Sequence, residues 1–317
     1  MLSSQLSLAT AQLSRNTAAE IHESPTPWRE ATLEGWRRRN AVLDAIFYDV
    51  GKVTQAEAAC LSPWLAKEGA ILIVPPTGTE PLTLCPTIED FEKEGGRDVR
   101  ALAVAGVGSS ALGSAAFARN VADAFGQPVA AVVSGYGLSD LVTEALGGFF
   151  LFGALNSIRH TYEQLDHLAR RAQQAALEAS AESATFELPR MSLDTQTVYR
   201  LLSDRRFHFK LLTGHSKGNL VLSEALYELD GGHAPATLSK DTWLVTISAV
   251  ITMPPRYRNI VDVIGSIDWF GAMNSRLGLG VEQARPWEWH HTNTELPFHL
   301  PVTKVFSDLI ASRRITL

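Results

Sequence analysis

The sequence predicts an α/β protein with a mostly parallel central sheet and helices on both faces of that sheet. Three observations lead to this fold class. The chain has 317 residues, of which 45% are hydrophobic and 20% charged, enough to bury a large core. Short apolar runs without alternation recur along it, as strands buried on both faces require. Amphipathic stretches with helical spacing separate these runs, a pattern that is typical of a parallel sheet.

Charge and cysteine content exclude several classes of protein. The formal net charge is −6, whereas nucleic-acid binding needs a clustered excess of Lys and Arg. Only Cys60 and Cys85 are present, without metal-ligand spacing, so a reducing compartment is expected. No apolar window approaches the ~18 residues of a membrane span, and the N-terminus lacks the features of a secretory signal. We therefore predict a cytoplasmic protein without metal or cofactor, whose oligomeric state stays open, a homo-oligomer included.

The first part of the chain differs from the rest. Residues 1 to about 30 are polar, and a stretch with helical spacing follows them, in which Trp36, Val42, Leu43 and Ile46 share one side. We expect residues 1–69 to form an N-terminal arm and helical segment, and residues 70–317 to form the main domain.

Strands and helices then alternate. Candidate strands cover residues 70–76, 101–106, 128–135, 208–214, 243–251 and 258–268. Apolar stripes at helical spacing lie between or after them: Phe117, Val121 and Phe125; Leu222, Ala225, Leu226 and Leu229; and Val302, Val305, Phe306, Leu309 and Ile310.

One connection is too long for an ordinary crossover between strands. Residues 136–206 are mostly helical in character and predict an inserted helical cap over the C-terminal edge of the sheet. The cap contains the apolar run "LGGFFLFGAL" at 146–155, which fits either a core helix or a flap over a pocket.

The sequence Gly214-His215-Ser216-Lys217-Gly218 lies between a predicted strand and a predicted helix. A nucleophile held at such a junction occupies a very tight turn, in which side chains two residues away would collide. Glycines remove those collisions. The turn would lift the Ser216 hydroxyl above the sheet and aim the N–H of Lys217, at the helix N-terminus, toward a reacting oxygen.

With these residues the chain resembles the α/β-hydrolase family, and "LLTGHSKGNLVLSEAL" is similar to the nucleophile elbow of that family. The resemblance extends from about residue 70 to the end as an order of strands and motifs. It implies an oxyanion-hole loop upstream of the elbow, and an acid and then a histidine downstream of it.

Two acids and three histidines are candidates for the partners of Ser216. Asp268 closes the last strongly β-like run, and we favour it over Asp262, which lies inside the same run and would point into a helix layer. The family places its histidine on a loop ahead of the final helix. His299 stands three residues before the last apolar stripe and is favoured over His291 and His290. His215 is expected to point away from the site and pack against neighbouring strands.

The loop after residues 101–106 is the candidate for the second oxyanion donor. Val107, Gly108 or Ser109 could supply its N–H, together with that of Lys217, although the usual His-Gly pair of the family is missing. The same loop matches the G-x-G-x-x-A dinucleotide fingerprint from Gly106 to Ala111. The next predicted strand, however, ends in serine and glycine instead of the acid that would bind a ribose.

These residues predict a serine hydrolase that cleaves small-molecule or lipid-like carboxylic esters, with apolar acyl groups favoured. The predicted catalytic residues are Ser216, Asp268 and His299, and the predicted substrate-binding residues are Phe149, Phe150, Phe152, His291 and Trp269. Thioester hydrolysis and acyl transfer use the same constellation. A binding protein that keeps the fold without the chemistry is the alternative from a different class.

Overall fold

The computed structural model describes residues 43–61, 67–106, 109–134, 192–231, 236–276 and 283–315. Its strands are β1 Ile71–Val74, β2 Thr83–Cys85, β3 Ala101–Val104, β4 Val129–Val132, β5 Leu211–His215, β6 Trp243–Ile247, β7 Ile260–Gly265 and β8 Gln283–Arg285. They form one sheet in the order β2-β1-β4-β3-β5-β6-β7-β8. Strand β1 runs antiparallel to β2 and β4, and the remaining pairs are parallel. All six predicted strands are confirmed, and β2 and β8 add to them.

The described helices are α1 Gln55–Cys60, α2 Ile88–Lys93, α3 Ala111–Phe125, α4 Leu193–Ser203, α5 Lys217–Gly231, α6 Ala236–Asp241, α7 Trp269–Met273 and α8 Val302–Ala311, with 3₁₀ turns at Val50–Lys52 and Gly96–Asp98. Local sequence sets the limits of α3. Ser110 caps α3 by accepting a hydrogen bond from the Leu112 N–H, and Gly126, in the left-handed region at φ 64°, ends it. None of the helices in the described ranges is both long and apolar enough for a bilayer crossing.

The core lies in two layers because successive strand residues point to opposite faces of the sheet. On one face Ala101 and Ala103 of β3 pack with the buried stripes of α3 and α8. On the other face Leu102 and Val104 pack with α4 and α5. The predicted α/β architecture with helices on both faces is therefore confirmed.

The cap prediction is tested only at its end. Residues 135–191 lie outside the described residues, whereas residues 192–206 contain α4. The buried side chains of α4, Val198, Leu201 and Leu202, join the core cluster on the sheet. This last part of the predicted 136–206 insertion is therefore a helix of the sheet layer, because its apolar side chains face the core.

The described N-terminal residues also differ from expectation. Residues 43–61 pack into the same core as the sheet, so a boundary between residues 69 and 70 does not separate them from it. Residues 43–47 are helical, but Ile46, expected on the packed side, is 44% exposed. Asp44 and Tyr48 are buried instead, and both contact the loops at the carboxyl ends of the strands.

Candidate active site

The turn between β5 and α5 has the geometry predicted for an elbow. Ser216 adopts φ 52°, a left-handed conformation that is uncommon for a residue with a side chain. A Cβ at Gly218 would stand 2.0 Å from the carbonyl oxygen of Val104, and a Cβ at Gly214 would stand 2.5 Å from Oδ1 of Asn219. Both glycines are therefore required by close approach, as the sequence pattern indicated.

Ser216, His290 and Asp268 form a continuous chain of hydrogen bonds. Ser216 Oγ lies 3.0 Å from His290 Nε2. His290 Nδ1 lies 3.0 Å from each carboxylate oxygen of Asp268. Because an ionised carboxylate only accepts, Nδ1 carries the imidazole proton and Nε2 offers its lone pair to the Ser216 hydroxyl. The three residues are at most 3% exposed, so this arrangement is shielded from water.

The acid in this series of hydrogen bonds is Asp268, the residue favoured from sequence. Asp268 follows the end of β7 and caps α7, where its Oδ1 accepts from the Gly271 N–H at 2.6 Å. Asp262 lies within β7, accepts from the Thr246 hydroxyl at 2.6 Å and lies 3.7 Å from Arg276. Only Asp268 of the two thus contacts the imidazole among the described contacts.

The histidine differs from the expected one. His299, expected to reach Ser216, instead donates from Nδ1 to the carbonyl of Leu296 at 2.9 Å and is partly exposed. His291 is buried and donates from Nε2 to the carbonyl of Pro297. His290 takes the position beside Ser216 because the loop before α8 folds back on itself, with bonds from Trp289 N to Phe298 O and from Leu300 N to His291 O.

Aromatic rings surround the His290 imidazole. Its centroid lies 4.7 Å from that of Phe270 and 6.1 Å from that of Phe47, both in edge contacts. Trp289 and His215 lie 6.4 Å and 5.1 Å away. These rings restrict the rotation of the imidazole and keep it directed toward Ser216.

The backbone of His290 is also held by hydrogen bonds, one of them from His215, the residue before Ser216. Its carbonyl oxygen accepts from His215 Nε2 at 2.9 Å and from the Ser248 hydroxyl at 3.3 Å. The expectation that His215 points away from the site is therefore wrong, because its ring contacts the loop of His290. It also lies 5.9 Å from the ring of Phe117, on α3. Burial lowers the pKa of His215 to about 3, and the neighbouring His290 acts in the same direction.

The predicted oxyanion donors are only partly described. Lys217 is the first residue of α5 and directly follows Ser216, as expected. Val107 and Gly108 lie outside the described residues, whereas Ser109, on the same loop, is buried. The N–H of Gly106, the first glycine of the dinucleotide pattern, donates to the hydroxyl of Tyr48, so it is not directed at a ligand phosphate.

A buried carboxyl group anchors the end of this loop. Asp44 Oδ2 accepts from the N–H groups of Ser110 and Gly113, at the start of α3. Burial raises the pKa of Asp44 to about 7, although these bonds oppose the shift. The N-terminal segment thus reaches the same loop as the predicted oxyanion donors.

The predicted substrate-binding residues are described only in part. Phe149, Phe150 and Phe152 lie outside the described residues. Trp269 is 59% exposed and lies immediately after Asp268. His291 packs edge-on against Trp289 at 5.6 Å and has no contact with Ser216 among the described ones.

Sequence reasoning did not assign the residues before the sheet to the site. The carbonyl of Phe47 accepts from the N–H and hydroxyl of Thr292, and that of Ala45 accepts from Asn293. Asp49 accepts from the Thr294 side chain at 2.7 Å. These pairs are far apart in sequence, and no sequence pattern links their members. The polar run "HHTNT" at 290–294, with its hydrogen-bonding side chains, is the signal that points to His290.

Comparison with known proteins adds no relative. No family model matches the chain, and neither a curated protein nor a solved structure does.

Proposed function

We propose that this protein is a serine hydrolase that cleaves carboxylic esters through an acyl-enzyme intermediate. The observation that supports this function best is the hydrogen-bonded chain from Ser216 through His290 to Asp268, with both distances at 3.0 Å. An acid that orients a histidine, and a histidine that accepts the proton of a serine, are the parts that make a hydroxyl nucleophilic at neutral pH.

The reaction follows from these positions. Ser216 Oγ attacks the ester carbonyl while its proton moves to His290 Nε2. The imidazolium then gives that proton to the departing alcohol, and an acyl group remains on Ser216. Water attacks this ester in a second cycle while His290 again accepts a proton. The imidazolium returns that proton to Ser216 Oγ as the acyl–oxygen bond breaks, and the carboxylic acid is released. Asp268 stabilises the imidazolium in both cycles.

We also propose that the chain has an α/β-hydrolase fold with a helical cap in residues 136–191. The order of the residues along the chain, serine, then acid, then histidine, supports this assignment, as does the turn between β5 and α5. The backbone N–H of Lys217 would stabilise the oxyanion with a second donor, Val107 or Gly108, from the loop between β3 and α3.

The proposed substrates carry an apolar acyl group. Two exposed aromatic side chains support this proposal. Trp269 directly follows Asp268, and Phe298 lies on the loop that carries His290. Phe149, Phe150 and Phe152 of the proposed cap would add further apolar surface. No cofactor enters this reaction. A cytoplasmic location is proposed because Cys60 and Cys85 are both unpaired.

Covalent labelling tests the proposal. We expect a small alkyl fluorophosphonate probe to label the wild-type protein with one equivalent and not to label Ser216→Ala. Ser223→Ala, a matched control that removes a hydroxyl from α5, should label like the wild type. An unlabelled wild-type protein would contradict the enzymatic function and favour a binding protein.

A substrate panel then separates the reaction classes on the same triad. p-Nitrophenyl esters of increasing acyl length should show faster turnover for chains longer than acetate. A thioester substrate that is preferred over its oxygen ester would indicate a thioesterase, and transfer of the acyl group to an added alcohol would indicate an acyltransferase.

A further inference from the structure

A second chain of hydrogen bonds runs beside the candidate triad. The Gly106 N–H donates to the Tyr48 hydroxyl at 2.7 Å, and that hydroxyl lies 2.9 Å from His215 Nδ1. His215 Nε2 lies 2.9 Å from the carbonyl oxygen of His290. Tyr48, His215 and His290 are each at most 2% exposed, so water does not compete for these bonds.

The direction of every bond in this chain is fixed by its ends. A carbonyl oxygen can only accept, so His215 Nε2 carries the proton and donates to His290. Burial lowers the pKa of His215 to about 3 and so keeps its imidazole neutral. Nδ1 is then an acceptor, and the Tyr48 hydroxyl donates to it. The Tyr48 oxygen in turn accepts from the Gly106 N–H, which can only donate. No member has a second arrangement that satisfies all of the bonds.

The two ends of this series of hydrogen bonds lie on two parts of the site whose separation must stay fixed during catalysis. Gly106 begins the loop between β3 and α3, which carries the proposed oxyanion donor. His290 is the proposed base. Tyr48 and His215 also pack edge-on, with ring centroids 5.3 Å apart, so the rings restrain each other. A displaced loop or base would break at least one buried hydrogen bond.

We propose that Tyr48 and His215 are positioning residues, which hold the backbone of His290 and the start of the oxyanion loop in their catalytic arrangement. This inference rests on the proposed hydrolase function. His215 does not act as a second base, because its Nε2 is bonded to a carbonyl and its Nδ1 to Tyr48. Both side chains are buried and bonded to protein groups, so we expect their effect to be on the rate of the chemical step.

Tyr48→Phe is the direct test, since it removes only the hydroxyl and leaves the ring. We expect kcat to fall by about 10- to 100-fold, because small displacements of catalytic groups cost this much, while KM changes by less than about twofold. The affinity of a trifluoromethyl ketone, a transition-state mimic, should fall in parallel with kcat/KM. Tyr227→Phe is the matched control, since its hydroxyl bonds the main chain of Met253 away from the site. It should leave kcat unchanged.

His215 supplies an independent second variant. His215→Gln keeps one donor and one acceptor, whereas His215→Leu keeps neither, so we expect the glutamine variant to retain at least about fivefold more of the wild-type kcat. A purely structural role would lower the melting temperature of all these variants without separating their kcat values.

The outcomes distinguish this inference from the proposed function. Wild-type turnover with an unchanged kcat in Tyr48→Phe, or an equal loss in Tyr48→Phe and Tyr227→Phe, would overturn the positioning role alone. A wild-type protein that neither turns over esters nor reacts with the fluorophosphonate would overturn the proposed function and the positioning role with it.

Discussion

The elbow around Ser216 and the loop around His290 are two regions of one site that are built in different ways. The elbow is recognisable from neighbours in sequence: Gly214 and Gly218 permit the turn, and the Asn219 N–H closes it on the carbonyl of Ser216. The loop of His290 depends on distant residues. His215 binds its backbone, and Phe47, 245 positions away from Thr292, accepts a bond from it.

This difference teaches which kind of substitution each region can tolerate. A short turn in a strained conformation fails when a single atom is added, because backbone atoms surround it. In a loop held by many separate hydrogen bonds, a single substitution removes one bond and leaves the others in place. Defects in the elbow should therefore appear mainly as lost stability, and defects around His290 mainly as lost turnover.

Gly218→Ala is expected to have the largest effect on stability. Its Cβ would stand 2.0 Å from the Val104 carbonyl oxygen and 2.7 Å from that of Ala105, both in the backbone. We expect the free energy of unfolding to fall by about 3 kcal/mol or more in urea titrations. Gly51→Ala is the control, since its Cβ would meet only the end of the Glu295 side chain at 3.2 Å. Equal, small losses in both variants would contradict the tight packing of the elbow.

Asp44→Asn should have a smaller effect that depends on pH. The pKa of Asp44 is raised from 3.8 to about 7 by burial, so the stability that this group contributes is present below pH 3.8 and is lost as the pH rises to about 7. Asparagine does not titrate. Between pH 5 and pH 8, the variant should therefore gain about 2 to 3 kcal/mol relative to the wild type.

Urea unfolding of both proteins at the two pH values measures this gain. Other titrating groups cancel in the difference between the proteins. A difference that stays constant from pH 5 to pH 8 would mean that Asp44 is not buried at the start of α3 as described.

The same contrast explains what the sequence could predict. The six apolar strands and the turn at Ser216 were predicted because their patterns are local. Asp268 was predicted because it follows the end of an evident strand, β7. Strand β8 was missed, since its three residues Gln283–Arg285 have no apolar run. Without β8, the sequence shows no start for the loop that carries His290, and the order of the family's motifs favours His299, just ahead of α8.

The N-terminal segment could not be placed from sequence for a related reason. Within its helical stretch and the residue after it, residues 43–48, the buried positions are Asp44 and Tyr48. Aspartate is normally exposed and tyrosine is intermediate, so the apolar pattern predicts the opposite face as the packed one. Their burial is explained only by partners far away in the chain, Ser110 for Asp44 and His215 for Tyr48. The hydrophobic pattern within the segment contains no information on such distant partners.

The most direct test of the site is to compare turnover of a p-nitrophenyl ester by His290→Ala and His299→Ala. We expect kcat/KM to fall by at least about 10³-fold in His290→Ala, because Ser216 loses its base. His299→Ala should stay within about twofold of the wild type, since its side chain donates to the carbonyl of Leu296 and has no bond to Ser216 among the described ones. Retained turnover in His290→Ala, with loss in His299→Ala, would contradict the site described for this protein.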